Sequence, residues 1–309
     1  MTSKKVLISG GAGFIGSHLV RRLLADGKSV IVIDDFSEGR RENLPGGENL
    51  MVFEASVCDG VDFLFENVDT VFHLAALPRP QWSITHPEET HRVNVTGTLK
   101  TLLHCRDNNI RKVVFASSAF IYGEQEIQPM AETATPYLMC PYALHKLVGE
   151  QYCQLFSDLY GLQTISLRFF NVYGSRMNPD SPYSALIPKF IKMIDEGLPP
   201  PIHGDGQQLR DFVYIDDLVD GIILASQLDV GGVINLGYGK TRSVNDVHKI
   251  ICDLLGTWVE PVHVDPVIEP RISHANREKA QELLGWVPKI DLEEGINRII
   301  NESVFISTL

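Results

Sequence analysis

The chain is short of positive charge: 27 Lys and Arg stand against 39 Asp and Glu among 309 residues, a formal net of −12. That balance argues against a nucleic-acid groove or a polybasic membrane patch, since both need positive charge to meet phosphate. It leaves room for a local Arg cluster facing a phosphorylated small molecule. Cysteine is scarce too. Cys58, Cys105, Cys140, Cys153 and Cys252 are odd in number and none are spaced as C-x-x-C, which speaks against a disulfide framework and a zinc site. No H-x-x-x-H pair occurs among the histidines, so no metal centre is expected. No apolar run approaches the roughly 18 residues of a membrane span. Met1-Thr2-Ser3-Lys4-Lys5 leads straight into an apolar strand, so neither signal peptide nor anchor is expected, and the compartment reads as reducing and cytoplasmic. Internal repeats and low-complexity segments are lacking as well. What is present is a 44% apolar composition, enough for a full core.

At roughly 150 residues per domain the length corresponds to about two domains. Short, nearly continuous apolar runs recur at Lys5–Ile8, Ser29–Ile33, Met51–Phe53, Thr70–Leu74 and Lys112–Ala116, as expected of strands buried on both faces of a parallel sheet. Between them lie stretches of helical period, such as Ile15–Ala25 and Val93–Cys105. The alternation implies βαβ units and a doubly wound α/β sheet. After Thr164–Arg168 prolines cluster, and short helices are predicted at about Tyr183–Glu196, Ile215–Gln227, Val244–Leu255 and Arg277–Leu284. Val233–Leu236 reads as a late strand that returns to the first sheet. The expected organisation is therefore a cofactor domain over 1–170, with a return of about 211–240, interleaved with a smaller α/β substrate domain over 171–309.

Gly10-Gly11-Ala12-Gly13-Phe14-Ile15-Gly16 follows the first strand and opens the first helix. Glycines at 10, 13 and 16 permit a tight turn, close approach to a pyrophosphate and close helix–strand packing. The helix N-terminus then offers free N–H groups and the positive dipole end to phosphate. Asp34 closes the second strand, where a carboxylate accepts hydrogen bonds from ribose hydroxyls and repels a 2′-phosphate, favouring NAD over NADP. Tyr142 and Lys146 are one helical turn apart on a predicted helix from about Tyr142 to Tyr160, so they share a face. A buried ammonium beside a phenol is expected to lower the phenol's pKa from about 10 and make Tyr142 a general base. Ser118, at the end of the fifth strand, can share the proton and hold a substrate oxygen.

These residues carry a family resemblance. The chain resembles the extended short-chain dehydrogenase/reductases, specifically the nucleotide-sugar epimerase/dehydratase group. The motifs are Gly10 to Gly16, Phe72-His73-Leu74-Ala75-Ala76, Val93-Asn94-Val95-Thr96-Gly97-Thr98 and Ser117-Ser118-Ala119-Phe120-Ile121-Tyr122-Gly123. They continue with Pro141-Tyr142-Ala143-Leu144-His145-Lys146, Arg168-Phe169-Phe170-Asn171-Val172-Tyr173-Gly174 and Gly204 to Tyr214. The resemblance implies a Rossmann-type fold, bound NAD, a nucleoside-diphosphate sugar and chemistry that begins with hydride abstraction at sugar C4. It places Gly10, Gly13, Phe14, Ile15, Gly16, Asp34, Val57, Leu74, Ala75, Ala76, Asn94, Tyr142 and Lys146 at the cofactor, with Ser118, Tyr142 and Lys146 catalytic.

Departures from the family pattern narrow the choice. Dehydratases of the group carry an acid pair after the Ser/Thr; here Ala119 and Phe120 stand there and cannot move a proton. Cys140, where Ser or Thr is usual, reads as a small buried substitute, with a weak acid near the sugar as the other option. Ser56 stands where an adenine-binding Asp is usual, so Asp59 falls at the following family Asp. The remaining pattern is most similar to UDP-glucose and UDP-N-acetylglucosamine 4-epimerases, in which a 4-keto sugar turns over between removal and return of hydride. On that reading Arg210 and Arg271 clamp the diphosphate, Arg271 alternatively making a surface ion pair. Asn171 binds the diphosphate and Leu186 walls the uracil. Ser273 leaves room for a 2-acetamido group. UDP-glucuronate epimerisation or decarboxylation is the alternative, with Arg79 as a partner for the carboxylate, and a non-catalytic dinucleotide sensor is a remote one. Relatives of this type imply a homodimer through the helices carrying Tyr142 and following Asn94.

Overall fold

Successive residues of the first strand go to different cores. Val6 and Ile8 pack on one side of it and Leu7 on the other, and all three are buried. Ile31 and Ile33 against Val30 and Val32, and Val113 and Phe115 against Val114, repeat the pattern. A strand sandwiched between two apolar layers has to read as a continuous apolar run, and it does.

The computed structural model of the chain describes residues 5–177 and 186–307. In chain order the first half comprises β1 (Lys5–Ser9), α1 (Phe14–Ala25), β2 (Ser29–Asp34), β3 (Leu50–Glu54), β4 (Val68–His73), α2 (Pro80–Thr85) and α3 (Pro87–His91). A π-helical turn at Arg92–Thr96 leads into α4 (Gly97–Asp107), followed by β5 (Lys112–Ser118), α5 (Pro141–Tyr160) and β6 (Gln163–Phe169). The second half holds β7 (Asn171–Tyr173), α6 (Leu186–Asp195), β8 (Pro201–His203), β9 (Leu209–Tyr214), α7 (Ile215–Gln227) and β10 (Gly232–Leu236). It ends with β11 (Thr241–Ser243), α8 (Val244–Leu255), β12 (Val262–Val264), β13 (Ile272–Ser273), α9 (Glu278–Leu284) and α10 (Leu292–Ser307).

Seven parallel strands form the main sheet in the order β3-β2-β1-β4-β5-β6-β10. This is a doubly wound sheet of Rossmann type. The order in which strands are added reverses between β1 and β4, which opens a crevice at their carboxyl ends. On one face Leu19, Val20 and Leu23 of α1 join Leu218 and Ile222 of α7; on the other, Leu102 and Cys105 of α4 join Cys153 and Phe156 of α5. The late strand β10 runs parallel to β6 from Gly232↔Ile165 to Leu236↔Phe169. By contrast β9, which begins two residues before Asp211, pairs with β7, β11 and β13 in a separate small sheet, and β8 pairs with β12.

Helix termini follow local chemistry. Pro141 occupies the first turn of α5, where its missing N–H costs nothing, and Gly161 ends the helix with φ +69°. Ser243 and Asp246 form a reciprocal capping box on α8. Of the predicted helix at Tyr183–Glu196, the first three residues lie outside the described ones; the rest is α6 as far as Asp195. All five cysteines are free, and Cys140 is half-buried rather than buried, at the N-cap of α5.

Candidate active site

A cavity of about 1130 Å³ runs along the carboxyl ends of β1, β2, β4 and β5 and on between the two sheets. Drug-sized pockets span roughly 300–1,000 Å³, so this one lies above the usual single-ligand range.

At one end the floor is the glycine loop. Gly10 adopts φ +74°, and a Cβ there would meet the Ala75 nitrogen at 2.7 Å. A Cβ on Gly16 would collide with the Gly10 carbonyl, so the helix comes this close to the turn only without a side chain. Gly13, the N-cap of α1, offers no side-chain partner to the first turn and lines the cavity with Phe14, Ile15 and Gly16. Asp34 ends β2 beside them. Its carboxylate accepts from the Ala12 N–H at 2.8 Å and the Phe36 N–H at 2.9 Å. Burial pushes its pKa up, against those backbone bonds. Val57 and Ser56 line the same end; the Asp59 carboxylate accepts from the Ser56 N–H and is not part of the lining. A glycine cradle without side chains, a helix N-terminus and a buried carboxylate together suit a dinucleotide.

Deeper in, Leu74, Ala75 and Ala76 form the wall after β4. Asn94 does not reach the cavity. It is buried, accepts from the Leu77 N–H at 2.8 Å and donates to the Leu77 carbonyl at 3.1 Å, so it holds that wall from behind. Below, His73 bridges Ser9 at 2.7 Å and Thr98 at 3.0 Å, and burial lowers its pKa to about 3.

Ser118, Tyr142 and Lys146 meet in the middle of the cavity. Ser118 caps the turn that follows β5, accepting from the Phe120 N–H, and bonds Tyr142. The Lys146 ammonium donates to the Ala116 carbonyl at 2.7 Å and lies 5.9 Å from the Tyr142 ring centre. This differs from the expected lowering of the phenol. Burial pushes Tyr142 up to about 12, with the Ser118 bond pulling the other way, and pulls Lys146 down to about 8 against the Glu150 carboxylate. In the protein alone, desolvation sets the direction of both shifts. The Tyr142 backbone is fixed from another element: its N–H donates at 3.0 Å to Ser83 Oγ, since Cys140 makes no side-chain cap.

At the far end Asn171, Leu186, Arg210 and Ser273 line the cavity. Arg210 is buried; its guanidinium donates to the Leu209 carbonyl at 2.8 Å and pairs with Glu269 at 2.7 Å. Arg271 is not brought into this group. It is exposed, outside the lining, and grips Asp205 at 2.8 and 3.0 Å, which is the surface ion pair weighed against the clamp. Arg79 does line the cavity, paired with Glu38. Sequence reasoning passed over Asp35–Arg40, His203, Gln208 and Glu269, all in the lining. The first group was accessible from the rule that ligands sit beyond strand carboxyl ends. His203 ends the three-residue strand β8, and Gln208 and Glu269 stand on irregular segments, none with a periodic signal. Among the described residues, no group of three or more His, Cys, Asp or Glu is placed to hold a metal ion, and no helix is long and apolar enough to cross a membrane.

The model of the NAD-dependent epimerase/dehydratase family matches residues 6–237. A UDP-glucose 4-epimerase from Mycolicibacterium smegmatis is 36% identical over 305 residues, covering 96% of this chain and 97% of that protein. Among solved structures, a UDP-N-acetylglucosamine 4-epimerase from Methanobrevibacter ruminantium in complex with UDP-N-acetylmuramic acid superposes with TM-score 0.94 at 37% identity, covering both chains fully. A UDP-glucose 4-epimerase from Thermotoga maritima with UDP-glucose gives 0.92 at 35%, covering 98% of this chain and 99% of that one. With the motifs, the doubly wound sheet and the cavity in accord, the chain belongs to the NAD-dependent epimerase/dehydratase family.

Proposed function

We propose that this protein interconverts the C4 epimers of a UDP-hexose, UDP-glucose and UDP-galactose or their 2-acetamido counterparts, with Tyr142 as the base. The observation that carries this reading is the shared cavity: the glycine loop and Asp34 lie at one end, Arg210 and Asn171 at the other, and Ser118–Tyr142–Lys146 between them. Gly10, Gly13, Gly16, Asp34, Val57 and Leu74–Ala76 would hold NAD. Bound NAD⁺ supplies a reversible hydride acceptor and a positive charge in the cleft.

Tyr142 takes the proton of the 4-hydroxyl, and Ser118 holds the oxygen as its charge changes. Added positive charge in the cleft favours the phenolate, which burial alone opposes. Arg210 supplies the cation for the diphosphate, at the cost of sharing its guanidinium with Glu269. Ala119 and Phe120 line the wall after Ser118 and offer no acid, which supports epimerisation over dehydration. Ser273 is buried in the lining and small, which supports tolerance of a 2-acetamido group. A second reading, on UDP-glucuronate, has Arg79 in its favour; the pairing with Glu38 already commits that charge. A homodimer through α5 is part of the proposal, supported by exposed Leu144, Leu155, Leu159 and Tyr160 on that helix.

The test is a panel of UDP-glucose, UDP-N-acetylglucosamine and UDP-glucuronate with no added cofactor. C4-inverted products from the first two are expected. Release of CO₂, or conversion of UDP-glucuronate alone, would overturn the reading.

A further inference from the structure

Two loops flank the glycine loop. On one side the chain after β2 lies on Ala12, whose carbonyl accepts from the Arg40 N–H at 3.1 Å and the Asn43 amide at 2.9 Å. Gly39 is so close that a Cβ would meet the Ala12 carbonyl carbon at 2.8 Å. On the other side the chain after β4 lies on Gly10, where the Ala75 nitrogen blocks any side chain. Glu38 belongs to the first loop and Arg79 to the second, and both line the cavity. Their side chains meet as an ion pair, with only 28% of Glu38 and 17% of Arg79 exposed. The Arg79 guanidinium also lies 5.8 Å from the Trp82 ring centre. The glycine loop is thus a floor, the two loops are walls, and the ion pair joins the walls.

We propose that Arg79 and Glu38 form a clasp over the dinucleotide groove. A cofactor seated on the glycine loop leaves only when the pair opens, so it is retained from one turnover to the next. The proposal rests on the reading that this groove binds NAD. Retention suits a reaction in which the cofactor ends each cycle in its starting redox state. The partly shielded pair is weakened by salt less than an exposed one. The arrangement makes a prediction of sign: if Arg79 instead bound the cofactor phosphates directly, removing the Glu38 charge would free it to hold them more tightly.

The experiment loads the protein with NADH, chases it with excess NAD⁺ and follows the loss of bound-NADH fluorescence. Glu38→Gln and Arg79→Gln are each expected to speed release at least tenfold. The double variant should release no faster than the singles, and the charge swap Glu38→Arg with Arg79→Glu should recover most of the retention. Unchanged release in both single variants overturns the clasp, and slower release in Glu38→Gln overturns it in favour of a direct phosphate contact. A wild-type protein that binds no NADH overturns the clasp and the cofactor reading together, whereas binding with unaltered release rates overturns the clasp alone.

Discussion

Replacing Glu150 by Gln probes the buried link between the helix carrying Tyr142 and the strand beneath it. Glu150 lies one turn beyond Lys146 on α5. Its carboxylate accepts from Arg168 at 2.7 and 2.8 Å and from the Ser117 hydroxyl at 2.5 Å. The two charged side chains are only 2% and 5% exposed. With Gln the guanidinium stays buried without its counter-charge, and removing one partner of such a pair costs about 3–5 kcal/mol. At roughly 2.1 cal/mol/K of unfolding entropy per residue, a chain of 309 residues carries about 0.65 kcal/mol/K. The midpoint should therefore fall by about 5–8 °C. Scanning calorimetry at one fixed NAD concentration reads this, because cofactor binding itself stabilises the native state. Glu150→Leu with Arg168→Met removes both charges and should recover most of the loss, since apolar replacement of a buried pair is often neutral. A fall of less than about 1 °C in Glu150→Gln, or a double variant less stable than the single, would refute the reasoning.

Arg210→Leu should raise KM for the UDP-sugar about tenfold or more, roughly 1.4 kcal/mol of lost binding, while kcat changes little; steady-state kinetics reads the split. Ser273→Tyr should lower turnover of UDP-N-acetylglucosamine relative to UDP-glucose, and an unchanged ratio would remove Ser273 from the sugar wall. The buried His73 should make stability depend on acid. Its folded pKa of about 3 lies below the ordinary value of 6.5, so the unfolded chain takes up a proton that the native state refuses. Its contribution is full above pH 6.5 and is lost as pH falls towards 3, at up to about 1.4 kcal/mol per pH unit. Urea midpoints across that range should show the slope, and His73→Gln should flatten it.

Much of this was legible in the sequence because both-face burial leaves continuous apolar runs. Five strands of the main sheet, β1, β2, β4, β5 and β10, are marked in that way; the edge strand β3 carries the apolar run without the burial and β6 alternates polar with apolar, while Ile215–Gln227 and Val244–Leu255 are helices over the same residues in the structure. The strands β7, β8, β11, β12 and β13 carry no such mark because they are two or three residues long, so tertiary contacts select the extended form; in β9, central to the small sheet, Arg210 and Asp211 interrupt the apolar run. The same division holds at the site. The glycine loop and Tyr142–Lys146 carry their chemistry in local spacing. Arg271 could not be placed that way: whether its guanidinium meets a ligand or Asp205 depends on a partner 66 positions away. The Tyr142 titration was misjudged for a related reason. Spacing shows that Lys146 shares its face, but not that both side chains are buried and the ammonium is turned to the Ala116 carbonyl.

The central claim, reversible oxidation at C4 with Tyr142 as base, is tested most directly with UDP-glucose deuterated at C4. Wild-type protein should give UDP-galactose with the label still on C4, and Tyr142→Phe should slow that conversion by about 10²–10⁴-fold, the usual worth of a positioned acid–base group. Loss of the label to solvent, or turnover unaffected by Tyr142→Phe, would contradict the account.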